Sequence, residues 1–221
     1  MDKPPARPST LNSQPSTIPD CFALLNQPRR PWLDVEALKQ QFLSISASVH
    51  PDRVHNAAEA EKRAAQERYA ELNAAYNCLR EPKARLQHLL ELERGMPPGQ
   101  LQRIPDDLMD FSMKVARLCR DTDAFLAEKG KTTSPLLRVR LFQRAQELNE
   151  QLTALWREIS ARREQIESDI KALDSAWPNC TLAGSAERDA ALERLEALWR
   201  LLGFLSRWGA QIQERQVQLA F

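Results

Sequence analysis

The densest run of side chains able to do chemistry in this 221-residue chain is His50-Pro51-Asp52-Arg53, with His55 two residues further on. His50 and Asp52 can each hydrogen-bond a partner, and Pro51 between them limits the backbone states of the pair. Read alone, the triplet suits three roles. Pro and Asp are ordinary turn residues, so it can end a helix and open a turn. A catalytic His–Asp dyad needs a nucleophile, and no Ser or Cys is placed by a recognisable motif. A metal ion needs more ligands than His50, Asp52 and His55 readily offer. The four cysteines (Cys21, Cys78, Cys119 and Cys180) lie far apart in the sequence with no C-x-x-C pair. That spacing argues against a zinc site and against a disulfide framework. The expectation is therefore no catalytic residue, no metal and no cofactor, in a reduced, cytoplasmic protein.

The elements that must hold this triplet are helices. Gly is rare at 6 residues, aromatics make up 6%, and Leu, Ala, Glu, Gln and Arg dominate, which are good helix formers. The fold class expected is all-α. Leu38, Phe42, Ile45 and Val49 recur at steps of four, three and four behind a candidate N-cap at Asp34, and Pro51 stops that helix. A polar loop leads to a second helix from about Ala57 to Arg80, with Ala65, Tyr69, Leu72, Tyr76 and Leu79 as its core stripe. A short helix containing Cys21 to Leu25 precedes the pair, and another follows, opened by Pro82 and stopped by Gly95. Together these predict a small helical bundle.

Residues 1–19 hold Pro4, Pro5, Pro8, Pro15 and Pro19 with little to bury, and read as a disordered tail. Residues 96–105, with Pro97, Pro98, Gly99 and Pro105, read as a stiff linker. Beyond it three helical stretches are expected, from about Asp106 to Glu128, Pro135 to Trp177 and Ala186 to Leu219. The second carries Leu141, Ala145, Leu148, Leu152, Leu155 and Ile159. The third carries Ala191, Leu195, Leu198, Leu202, Leu205 and Ile212. Spacing near 3.5 residues on both predicts an antiparallel, coiled-coil-like hairpin, joined by a loop containing Pro178 and Gly184. Trp156, Trp199 and Trp208 read as core, and Arg162-Arg163-Glu164 as a solvated face.

Charge excludes some function classes. Lys plus Arg number 31 against 30 Asp plus Glu, evenly spread on both sides of the linker. The basic footprint of a general nucleic-acid binder is missing. No apolar run approaches the length of about 18 residues that a membrane helix needs. The N-terminus has no apolar signal core.

Position gives the triplet its meaning. It sits between two antiparallel amphipathic helices, with Leu72-Asn73-Ala74-Ala75-Tyr76 about two dozen residues later. Over residues 21–95 the sequence resembles the J-domain, and more closely the HscB-type iron–sulfur co-chaperones. The matching features run in order: Phe22-Ala23-Leu24-Leu25, Pro28, Leu33-Asp34, His50-Pro51-Asp52-Arg53, Leu72 to Tyr76, Pro82, Arg85 and Leu89-Leu90. The resemblance implies a J-domain over 20–95 and a partner, a DnaK-type chaperone ATPase, contacted by His50, Pro51, Asp52, Arg53 and Lys39. Such a chain activates its partner's ATP hydrolysis and is not itself an enzyme. One departure matters. J-domains typically carry many bases on the second helix, whereas residues 34–49 contain only Lys39 against Asp34 and Glu36. The remaining outward positions read as Gln40, Ser44, Ser46, Ala47 and Ser48. Arg29, Arg30, Arg53, Lys62 and Arg63 supply positive charge nearby. The expectation is weaker, less salt-sensitive stimulation.

The resemblance also implies that residues 106–221 form a three-helix bundle binding the iron–sulfur cluster assembly scaffold through the first helix after the linker. Leu108, Met109, Phe111 and Met113 are the candidate contacts, an adaptable surface rich in Met. Asp107-Leu108-Met109 fits the family's start of that helix. The family's glutamates are replaced here by a run containing Lys114 and Arg117. The alternative for all four residues is packing against the hairpin. Two other functions stay open: a J-domain serving an unrelated client, and a degenerate J-like, coiled-coil interaction module.

Overall fold

The computed structural model describes residues 19–50, 56–99, 103–131, 135–180 and 186–220. Pro51, Asp52, Arg53 and His55 lie outside the described residues, as does the expected tail up to residue 18. Among the described residues every regular element is helical. They are α1 (Cys21–Leu24), α2 (Val35–Val49), α3 (Glu59–Arg80), α4 (Pro82–Arg94), α5 (Met109–Lys129), α6 (Pro135–Cys180) and α7 (Ala186–Ala220).

Local chemistry accounts for the boundaries. The four-residue α1 exists because the Asp20 carboxylate accepts from the Phe22 and Ala23 N–H groups at 2.9 and 3.2 Å, and Arg29 clamps the same carboxylate at 2.7 Å. Asp34 caps α2 by accepting from the Ala37 N–H at 2.8 Å, as its position predicts. Pro82 opens α4, where a missing N–H costs nothing. Gly95 closes α4 at φ 72°, the left-handed conformation glycine adopts most cheaply. A single 3₁₀ turn, Asp106–Leu108, leads into α5.

Phe42 stacks on Tyr76 while His50 meets Tyr69, so residue numbers rise along α2 as they fall along α3, and the two are antiparallel. Phe22, Leu25, Leu38, Leu72, Leu79, Leu86, Leu89 and Leu90 are fully buried and form the core of the first four helices. The stripe on α2 is broader than its apolar spacing suggests. Ser46, read from the sequence as outward, is buried. It follows Phe42 by four residues and so lies beside it on the inner face. Leu43 is exposed instead.

The α6–α7 hairpin is antiparallel, with Thr153 bonded to Gln216 at one level and Asp169 paired with Arg194 at another. It extends further than predicted: α6 runs to Cys180, past Pro178, which the sequence reading had put in the loop. Trp199 and Trp208 are buried as expected and Trp156 is half-buried. Gly209 lets the helices approach. A Cβ there would lie 2.9 Å from the Trp156 ring. Helix α5 packs on both members of the hairpin, with Phe111 set edge-on to Trp208.

The linker joins parts that already touch. Helix α4 packs on α7, and there Arg188 pairs with Glu93 at 2.8 Å and Arg94 with Glu196. On the α6 side the buried Asp174 accepts two bonds from Arg30 and one from the Trp32 N–H. The Trp177 indole N–H donates to the Arg29 carbonyl at 3.0 Å.

Candidate functional site

His50 is the one member of the triplet among the described residues. It is the C-cap of α2, with extended backbone at φ −62° and ψ 134°. The cause lies in the next residue, since proline pushes its predecessor out of the helical region. The imidazole meets the Tyr69 ring edge-on, with centroids 5.2 Å apart and planes at 75°. Packing against α3 therefore fixes the His50 ring at the end of α2.

Lys39, the single base in residues 34–49, is exposed and lies 4.0 Å from Glu36. The other cations expected to give this end a positive potential are largely engaged. Arg29 is paired with Asp20, Arg30 with Asp174, and Lys62 with Glu59 at 2.7 Å. Around the weakly charged α2, these three neighbouring cations are each already paired.

The four candidate contacts in the C-terminal part divide. Leu108 and Phe111 are 4% and 5% exposed. Arg162 covers the Phe111 ring at 4.8 Å. Both residues belong to the core, where the packing alternative placed them, and present no surface. Met109 and Met113 are 41% and 56% exposed. Met113 borders a cleft between α5 and α6 of about 510 Å³.

A further cluster brings together two of the cysteines that lie far apart in the sequence. Cys21, Cys78 and His88 are far apart in the sequence but close in space, with one ligand atom of each lying within 4.8 Å of the other two. Cys21 opens α1, Cys78 sits in the last turns of α3 and His88 in the middle of α4. Spacing rules look for ligands on one short segment and miss three ligands delivered by three helices.

No protein-family model matches the chain. Among curated proteins, a co-chaperone protein HscB homolog of Paraburkholderia phymatum is 42% identical over 78 residues, which cover 35% of this chain and 44% of that one. A protein of the same name from Cupriavidus taiwanensis is 29% identical over 177 residues, 80% of this chain and 89% of the relative. Over most of its length this chain is similar to HscB-type co-chaperones. For the Paraburkholderia relative and for two Bordetella relatives the match spans less than half of the relative's length. The HscB fold itself extends over nearly the whole chain. The chaperone HscB from Vibrio cholerae superposes with a TM-score of 0.56 at 21% identity, covering 90% of this chain and 99% of that one. Human co-chaperone HscB gives 0.54 at 19% identity, covering 92% and 85%. The HscB-type architecture of a J-domain bundle followed by a helical bundle is therefore the architecture of this chain.

Proposed function

We propose that this chain is a J-domain co-chaperone that stimulates ATP hydrolysis by a DnaK-type chaperone and delivers to it the scaffold on which iron–sulfur clusters are assembled. The observation that carries the reading is His50 at the extended C-terminal end of α2, its ring held by Tyr69 of the antiparallel α3, with Pro51 and Asp52 next in the chain. In this reading residues 20–95 are the J-domain, 96–105 the linker and 106–221 the client-binding bundle. His50, Pro51, Asp52 and Arg53 contact the chaperone, assisted by Lys39. ATP is cleaved by the partner's residues, and this chain contributes no catalytic group. A His50 ring already held by Tyr69 lowers the ordering cost of binding.

Client contact falls to Met109 and Met113, the exposed pair at the start of α5. Leu108 and Phe111 contribute by holding that turn against the hairpin. Pull-down of the cluster assembly scaffold, in apo and clustered forms, tests this part. Binding weakened by Met109→Asp with Met113→Asp supports it, and no binding in either form moves the client elsewhere. The competing reading is a helical interaction module without ATPase stimulation, and the neutral α2 surface favours it. ATP turnover of DnaK-type partners separates the two. Acceleration by the wild type that is lost in His50→Gln supports the co-chaperone, and no acceleration of any partner supports the module.

A further inference from the structure

We propose that Cys21, Cys78 and His88 form a zinc-binding site that ties α1 to α3 and α4. One ligand atom from each residue lies within 4.8 Å of the other two. A tetrahedral zinc ion, with Zn–S near about 2.3 Å and Zn–N near about 2.0 Å, needs ligand atoms roughly 3.5–3.8 Å apart. The cluster reaches that spacing by movements of an ångström or so, within the range of side-chain rotation. Two thiol sulfurs and an imidazole are a soft donor set that suits a d10 ion and not magnesium or calcium.

The surroundings hold the three side chains in place. His88 is 5% exposed, stacked on Phe22, and its Nε2 accepts the Cys21 backbone N–H at 3.0 Å. That bond holds the ring in place, and zinc binding at Nε2 takes over the lone pair that accepts it. Both cysteines are half-buried, so the site has an entry path from solvent. Zinc takes both cysteines as thiolates, so its uptake releases their thiol protons. The two nearby carboxylates are otherwise occupied, Asp20 with Arg29 and the α1 N-cap, and Glu91 with the Gln87 amide. Three protein ligands leave the fourth position to water or to a ligand from a partner.

The test uses the full, reduced chain, metal-stripped and titrated with zinc chloride against a chromophoric chelator. Uptake of one zinc per chain is expected, with a rise in Tm that a chelator reverses. Cys21→Ser, Cys78→Ser and His88→Gln should each weaken binding by at least about tenfold, while Cys119→Ser, outside the cluster, should leave it unchanged. Cobalt(II) replacing zinc in the unaltered chain gives a readout independent of variant folding. Intense visible bands with thiolate-to-cobalt charge transfer mark a tetrahedral site with sulfur ligands. Absence of stoichiometric uptake, or uptake unchanged in Cys21→Ser and Cys78→Ser, or a weak octahedral cobalt spectrum, overturns the proposal.

Discussion

Asp174 is the polar group that fixes the first four helices against the hairpin, and removing its charge should cost far more than its single position suggests. It is 4% exposed and accepts from Arg30 Nε at 2.9 Å, from Arg30 Nη2 and from the Trp32 N–H at 3.1 Å. Asp174→Asn keeps the shape but removes the charge and turns an NH2 group towards donors. Breaking a buried, hydrogen-bonded ion pair costs about 3–5 kcal/mol when the orphaned charge stays buried. Here the Arg30 side chain is 39% exposed, so its guanidinium regains water and the loss falls to about 2–3 kcal/mol. For a chain of this size that corresponds to a Tm drop of roughly 5–10 °C. Arg103 and Asp106 provide the contrast, since their side chains are 84% and 86% exposed at 3.3 Å. Asp106→Asn should move Tm by less than about 1 °C. Calorimetry of both variants checks the reasoning, and equal shifts for Asp174→Asn and Asp106→Asn would refute it.

Gly209→Ala drives a methyl to 2.9 Å from the Trp156 ring and should cost about 1–3 kcal/mol by overpacking, a loss that Trp156→Phe partly restores in denaturant unfolding. Phe111→Ala should cost about 3–5 kcal/mol, because the ring is 5% exposed against Trp208. Met113→Ala, at 56% exposure, should change stability by less than about 0.5 kcal/mol, so urea midpoints separate the buried residue from the surface one. Burial pushes the Glu196 carboxyl up, but hydrogen bonds and charge from Arg94 and Arg200 outweigh it and hold the group below the ordinary glutamate value of 4.5. A depressed carboxylate stabilises the fold above its unfolded pKa and loses that contribution as pH falls through the folded one. The wild type should therefore lose more stability than Glu196→Gln on acidification below about 4.5, and parallel Tm curves from pH 6 to pH 3 would contradict this.

Much of the fold was legible because helical periodicity, caps and prolines act locally. Asp34, Pro82 and Gly95 do in the structure what their residue types imply, and the 3.5-residue seam of α6 and α7 leaves little choice but a hairpin. What stayed hidden depended on distance. Ser46 reads as polar and outward until the packing of α2 widens the buried stripe to include it. The neutralisation of Arg30 by Asp174, and the meeting of Cys21, Cys78 and His88, join segments with no sequence spacing to reveal them. At the start of α5 the apolar run Leu108 to Met113 looked like one surface. The helical turn splits it, burying Leu108 and Phe111 and exposing the two methionines. For the triplet, residue types supplied the chemistry, while the structure supplied the extended C-cap and the Tyr69 contact that orient its first member.

The most direct test of the central claim is ATP hydrolysis by a DnaK-type partner, measured against rising concentration of this chain at low and high ionic strength. The account predicts a saturating acceleration that His50→Gln abolishes without altering helicity or Tm. Because α2 offers one exposed base, itself beside Glu36, half-saturation should shift only modestly with salt. No acceleration, or acceleration that His50→Gln leaves intact, would contradict the central claim, and a steep loss with salt would contradict its electrostatic part.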